Sequence, residues 1–253
     1  MKLKDMAIGA GLQCFKKKVA MAIELIASID QPIAVSVSGG KDSQVCLDLA
    51  LRAKSKKDVY PVFFDCGTQL KSTYIALDEL ESYYSIKINR IKTEPQLVDM
   101  LKAGNYWGYT GGEDKKTFNF MDILVTKPAI KHMIDHKLEY SVIGLREEES
   151  SGRKKRGQVF GDIFQKKDGY HYCYPISKWK VEDIWCYIMS RELPYNKAYE
   201  VLLRLGVPLK DQRVGCYFGS AGNTIGRFVY LKYLDIGQWN RYIKDFPKLA
   251  FYS

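Results

Sequence analysis

Six consecutive residues, Ser38-Gly39-Gly40-Lys41-Asp42-Ser43, bring two hydroxyls, two glycines, an ammonium and a carboxylate into one short segment. Such a set suits phosphate. Glycines remove side chains where the backbone must turn tightly or approach a ligand. Lys41 supplies a full positive charge. Asp42 is the candidate magnesium ligand, because a hard cation favours a carboxylate beside phosphate oxygens. Free N–H groups at the start of a following helix would add to the same positive field. The kinase-type phosphate loop is a different motif: its two glycines stand apart, and these are adjacent.

Three further segments carry chemistry. Asp65-Cys66-Gly67-Thr68 ends an apolar run, and Gly144-Leu145-Arg146 ends another, followed by Ser150 and Arg153. Arginine forks bind phosphate or sulfate oxygens in pairs, which lysine cannot copy. Glu147, Glu148, Lys154 and Lys155 read as solvated charges. Cys216 sits in Arg213-Val214-Gly215-Cys216. That basic, glycine-flanked setting would lower a thiol pKa, and a buried structural cysteine is the alternative. Of the six cysteines none forms a Cys-x-x-Cys pair, and no His/Cys group has zinc spacing. Cys46 and Cys186 fall in apolar helical patterns and read as core thiols.

The positioning elements follow from periodicity. Ile33, Val35 and Val37 predict a strand over 32–37, and Val45, Cys46, Leu47, Leu49 and Ala50 predict a helix over 42–54. Further strands are expected over 59–64, 85–91 and 140–144. Helices are expected over 5–28 (broken near Gly9 and Gly11), 71–84, 94–103 and 121–136, the last bent at Pro128. The glycine- and aromatic-rich stretch 105–119 reads as a connection, with a lid as the alternative. Strands alternating with helices predict an α/β fold: an open, mostly parallel twisted sheet with helices on both faces. In such sheets ligands sit beyond the carboxyl ends of the strands, where all three segments fall. Residues 1–190 are expected to form the nucleotide-binding domain, and 191–253, rich in Tyr, Pro and Gly, a C-terminal extension packed on it.

The 253 residues are 46% hydrophobic and 27% charged, ordinary values for a globular chain. No run approaches the roughly 18 uninterrupted apolar residues of a membrane helix. The N-terminus lacks the order of a secretory signal, so a cytoplasmic protein without membrane contact is expected. The net charge of +10 points to an anionic partner, either nucleotide or nucleic acid, beyond the contribution of solvated lysines. Arg153, Lys154, Lys155 and Arg156 concentrate part of it.

Ser38–Ser43 resembles the PP-loop of the ATP pyrophosphatases, which cut ATP between its α- and β-phosphates. Asp65–Thr68 resembles the Asp-Thr-Gly segment of the phosphoadenosine phosphosulfate (PAPS) reductase-like family, with Cys66 in place of the usual threonine. Gly144-Leu145-Arg146 with Ser150 and Arg153 resembles that family's Gly-x-Arg…Glu-Ser…Arg segment. Residues 174–185, with Pro175, Trp179, Asp183 and Trp185, resemble its Pro-Ile-x-x-Trp-x-x-x-Asp-Ile-Trp element; here the tryptophans read as packing residues. The resemblance covers about residues 30–190 and implies an adenine nucleotide alpha hydrolase-like, Rossmann-like fold.

It also implies roles. Ser38, Gly39, Gly40, Lys41 and Ser43 would hold the β- and γ-phosphates of ATP, with Mg2+ on Asp42. Asp65, Gly67, Thr68 and Gly144 would lie near the nucleotide, and Arg146 and Arg153 on the α-phosphate or an oxyanion acceptor. An adenylyltransferase in sulfur metabolism is the leading expectation. A partner subunit is implied by the likeness to the ATP sulfurylase catalytic subunit, which works with a GTPase. The alternatives are PAPS or adenylyl sulfate reduction through Cys216, sulfur modification of DNA or tRNA, and a non-catalytic nucleotide-binding subunit. No iron–sulfur cluster is expected, because the paired cysteines of cluster-binding members are missing.

Overall fold

Ile33–Ser36 (β1) is the central strand, its first three residues buried because both faces of a parallel sheet are covered. The computed structural model describes residues 3–103, 120–215, 224–247 and 250. The 105–119 stretch and Cys216 lie outside the described residues. A 3-10 segment, Leu3–Gly11, and the helix Gln13–Ala27 (α1) precede β1, so the expected break falls at Leu12. Lys41–Ala53 (α2), Val59–Asp65 (β2), Lys71–Tyr84 (α3), Asn89–Lys92 (β3) and Leu97–Ala103 (α4) follow. A π-helical turn, Asp122–Thr126, runs into Lys127–Asp135 (α5). Pro128 sits in the first turn of α5, where its missing N–H costs least. Tyr140–Val142 (β4) comes next.

Beyond β4 the chain builds Ser151–Phe160 (α6), Ile163–Gln165 (β5), His171–Cys173 (β6) and Val181–Ser190 (α7). Ala198–Arg204 (α8), Thr224–Leu234 (α9) and Ile236–Asp245 (α10) complete the described helices. The sheet has six strands in the order β3-β2-β1-β4-β6-β5, all parallel except β5. Ile33 pairs with Val59 on one side and Tyr140 on the other. The connections run outward from β1 in one direction and from β4 in the other. The crevice of an open α/β sheet opens at that reversal.

Two departures from periodicity have local causes. Residues 85–88 are not strand: Ser85 adopts a left-handed conformation, φ 51°, and ends α3, so their alternation reflects Ile88 packing into the core. The β5–β6 hairpin escapes sequence reading because three-residue strands carry too little alternation to register. One apolar cluster runs from Leu3 to Phe246 and includes Trp179 and Trp185. Residues beyond 190 therefore share the core of the sheet domain, through Leu193, Tyr199, Leu202 and Trp239 among others. No described helix is long and apolar enough to cross a membrane.

Candidate functional site

The Ser38–Ser43 segment leaves the carboxyl end of β1 and closes on itself. The Ser38 N–H donates to Ser43 Oγ at 3.0 Å, and that hydroxyl donates to the Gly40 carbonyl at 3.0 Å. Gly39 has φ +73°, and a Cβ there would stand 2.6 Å from Thr73 Cγ2 in the first turn of α3. α2 starts at Lys41 with Gly40 as its N-cap and no side-chain cap, so the positive end of its dipole faces the loop. From the other side of the crevice Gly144 presses on the same turn. A Cβ at Gly144 would lie 2.8 Å from the Asp42 carbonyl carbon and oxygen and 2.9 Å from the Ser43 nitrogen.

Lys41 and Arg146 are both fully buried. Lys41 Nζ lies 3.2 Å from Asp42 Oδ2 and donates to the Gln212 carbonyl at 3.3 Å. Arg146 Nε donates to Asp42 Oδ1 at 2.6 Å, and its Nη1 pairs with Glu148. Arg146 Nη2 is buried with no hydrogen-bond partner among the described residues. Glu149 gathers three arginines: it pairs with Arg153, stands 2.8 Å from Arg213 Nη2, and accepts the Arg146 backbone N–H at 3.3 Å.

The electrostatics follow from crowding. Burial pushes the Lys41 pKa down; Asp42 opposes this, while Arg213 and Arg146 add to it. Burial pushes the Asp42 carboxyl up, but Lys41 and Arg146 outweigh it and hold the group below the usual range. Burial, then Arg213 and Arg156, lower Arg153. An anion entering here would meet the buried Arg146 Nη2, which has no hydrogen-bond partner among the described residues.

The expected residues come together unevenly. Ser38, Gly39, Gly40, Lys41, Asp42, Ser43, Gly144 and Arg146 form one continuous contact set. Arg153 joins it through Glu149. Asp65 is occupied otherwise: it accepts from the Gly67 N–H and the Tyr74 hydroxyl, each at 2.9 Å. Gly67 takes φ +78° with its α-carbon against the Gln96 side chain, and Thr68 is buried with its hydroxyl 3.1 Å from Cys66 Sγ. This turn leads into α3, whose Thr73 touches Gly39. Glu148 is not a solvated charge: it pairs with Arg146 and accepts the Val181 N–H at 3.0 Å.

Asp42 would have to give up a cation to take the magnesium role expected of it. Both its oxygens are committed to cations, and among the described residues no group of three or more His, Cys, Asp or Glu side chains is placed to hold a metal. The residues do fit a nucleotide's phosphates, through two buried cations and an uncapped helix start.

Sequence reading missed Tyr199, Gln212, Arg213 and Glu149. The first three lie more than 150 residues from Lys41 and reach it only through the fold. Glu149 had a local signal, its spacing of four from Arg153, although an extended Ser150 separates it from α6.

The phosphoadenosine phosphosulfate reductase domain matches residues 32–239. An uncharacterized protein of Methanocaldococcus jannaschii is 28% identical over 226 residues; the match covers 87% of this chain and 40% of that protein. The chain thus spans less than half the length of that relative. Adenosine 5′-phosphosulfate reductase 2 of Bacillus subtilis is 28% identical over 174 residues, covering 67% of this chain and 68% of that one. The crystal structure of a phosphoadenylyl-sulfate reductase from Candida auris, a phosphate complex, superposes with a TM-score of 0.57 at 17% identity. It covers 78% of this chain and 89% of that one, a likeness of fold.

Proposed function

The chain belongs to the phosphoadenosine phosphosulfate reductase domain family, and on that premise we propose that it binds ATP at Ser38–Ser43 and transfers the adenylyl group to an oxyanion or other acceptor. An acceptor oxygen forms a bond to the α-phosphorus. The bond from that phosphorus to the α–β bridging oxygen breaks, and its electron pair leaves with pyrophosphate.

One observation carries the reading: Lys41 and Arg146, two fully buried cations, meet at Asp42 at the start of α2, and Arg146 Nη2 is buried there with no hydrogen-bond partner among the described residues. A buried donor needs an acceptor, and Arg146 Nη2 lacks one among the described residues. A phosphate oxygen supplies that acceptor, beside the buried Lys41 ammonium.

Lys41 exchanges the Gln212 carbonyl for the β- and γ-phosphates and stabilises charge on the departing pyrophosphate. Ser38, Gly39, Gly40 and Ser43 line the same turn, and Asp42 fixes the two cations. Arg146 and Arg153, with Arg213 beside them, face the α-phosphate or acceptor. Asp65, Gly67 and Thr68 shape the wall beside the nucleoside. No protein nucleophile is needed, so positioning and electrostatics carry the rate. Magnesium would travel on the phosphates rather than on Asp42 and would neutralise part of their charge.

Product chromatography tests this, with purified protein, magnesium and ATP, with and without sulfate. AMP or an adenylyl product with pyrophosphate, lost in Lys41→Ala, is the expected result. ADP with phosphate would overturn it.

A second reading rests on the Bacillus subtilis relative named as an adenosine 5′-phosphosulfate reductase. In it the Cys216 thiolate takes the sulfonate from a sulfonucleotide, the nucleotide phosphate leaves, and an external thiol releases sulfite. Cys216→Ser would then abolish sulfite release and spare ATP cleavage.

A further inference from the structure

α6 buries none of its side chains. It carries Arg153, Lys154, Lys155 and Arg156 and no acidic residue. Arg153 is paired with Glu149, but Lys154, Lys155 and Arg156 make no ion pair among the described residues, and neither does Lys167 in the β5–β6 turn. Like charges three or four apart destabilise a helix. One face of α6 is half-buried, with Arg153 on Glu149 and Arg156 over Phe164 and Tyr174, while Lys154 and Lys155 are exposed. The charge of Lys154 and Lys155 is therefore exposed and without an ion pair among the described residues.

The end of the helix adds a different feature. Val159 is 72% and Phe160 58% exposed. The Phe160 ring lies 5.9 Å from Phe164, and the Arg156 guanidinium stands 5.5 Å over Phe164 and 4.5 Å over Tyr174. Flat apolar faces and a stacked guanidinium thus adjoin a row of lysines. An acidic peptide would match the lysines and leave the rings idle. A duplex would offer phosphates with its base faces already stacked. Unpaired nucleotides offer both phosphates and free base faces.

We infer that α6 and the β5–β6 hairpin form a docking surface for single-stranded nucleic acid, its phosphates on Lys154, Lys155 and Lys167 and an unpaired base on Phe160. The surface begins at Ser150, directly after Arg146 and Glu149, so a bound strand lies against the nucleotide site. Docking does not depend on the adenylyl-transfer reading, because it is measured without ATP.

The test is fluorescence anisotropy of the full chain with a labelled mixed-sequence single strand of about 16 nucleotides, the upper site size of a single-strand-binding fold. DNA and RNA strands, the matching duplex and poly-glutamate are compared across a salt series. Single strands are expected to bind more tightly than duplex or poly-glutamate. The double variant K154E/K155E is expected to lower the salt slope by about 1.4, two phosphate contacts on a single strand. Phe160→Ala is expected to weaken single strands about tenfold with little effect on duplex. All the docking substitutions lie on exposed side chains, and circular dichroism would verify that they fold. No single-strand binding at low salt, or binding indifferent to K154E/K155E and Phe160→Ala, would overturn the inference. Tighter binding of poly-glutamate would overturn it in favour of an acidic protein.

Discussion

The Lys41 backbone N–H donates to the Tyr199 hydroxyl at 3.1 Å, and the ammonium of the same lysine stands 5.3 Å from the centre of that tyrosine's ring. One side chain from the chain's last third thus holds both ends of the residue that begins α2. Trp185 meets the same ring edge-on at 5.1 Å, which fixes its plane. The start of α2 is anchored by a packed aromatic pair, and the anchor is polar only at its tip.

Tyr199→Phe keeps the ring and removes the hydroxyl. A buried N–H then loses its acceptor, which costs about 1–3 kcal/mol. Urea unfolding is expected to show that loss with an unchanged m-value, and saturating nucleotide is expected to restore part of it by mass action. A variant as stable as the wild type would show that the contact contributes nothing.

Gly144→Ala tests how closely the two sides of the crevice meet. Its Cβ would press on Asp42 and Ser43 backbone atoms at 2.8–2.9 Å, which cannot rotate away. Overpacking of this kind costs about 1–3 kcal/mol, and the strain falls on the loop proposed to take phosphate. Calorimetry should give weaker nucleotide binding together with a lower Tm. Gly152→Ala is the control, since a Cβ there meets nothing within 4 Å and Gly152 lies in α6. Replacing a helical glycine is expected to leave binding intact and stability equal or slightly higher.

Lys41→Met separates function from stability. A lysine whose folded pKa is lowered makes the native state less stable wherever it is protonated, and that cost lifts only as pH rises toward its unfolded value near 10.5. At neutral pH the buried charge is therefore a burden on folding. Methionine fills the space, and Asp42 keeps Arg146. Nucleotide binding should be lost while Tm holds or rises, by about 1 kcal/mol in stability. A clear fall in Tm would mean that the Lys41–Asp42 pair outweighs desolvation.

The loop itself was legible because its residues are contiguous and each has a local reason. Gly39 needs a positive φ, and β1 declares itself through Ile33 and Val35. Gly144 and Arg146 were legible as a motif at a strand end, but not the reason for the glycine, which is a contact with residues about 100 positions away. Tyr199 and Gln212 carried no signal: a tyrosine in a helical pattern reads as core, and a backbone carbonyl has no sequence identity. Asp42 shows the limit from the other side. Its type suggested a metal ligand, and only the positions of Lys41 and Arg146 show the carboxylate already engaged.

At the opposite end of the sheet His132, on α5, predicts an acid-sensitive step unconnected with the nucleotide. Burial pushes its pKa down to about 4, and the neighbouring His136, its ring centre 4.3 Å away, adds to the shift. Its Nδ1 faces Asn89 Nδ2 at 3.2 Å, which suits a neutral ring accepting from the amide. The unfolded chain therefore binds this proton more readily than the native one below about pH 6.5. Stability from the neutral ring is fully present above pH 6.5, declines as pH falls, and is gone below about pH 4. The loss is on the order of 2 kcal/mol after allowance for partial solvation. Urea midpoints measured from pH 7 to pH 4 should fall more steeply in the wild type than in His132→Asn, which cannot take up the proton. Parallel curves would assign the acid sensitivity to other groups, and nucleotide affinity measured at pH 7 should be the same in both proteins.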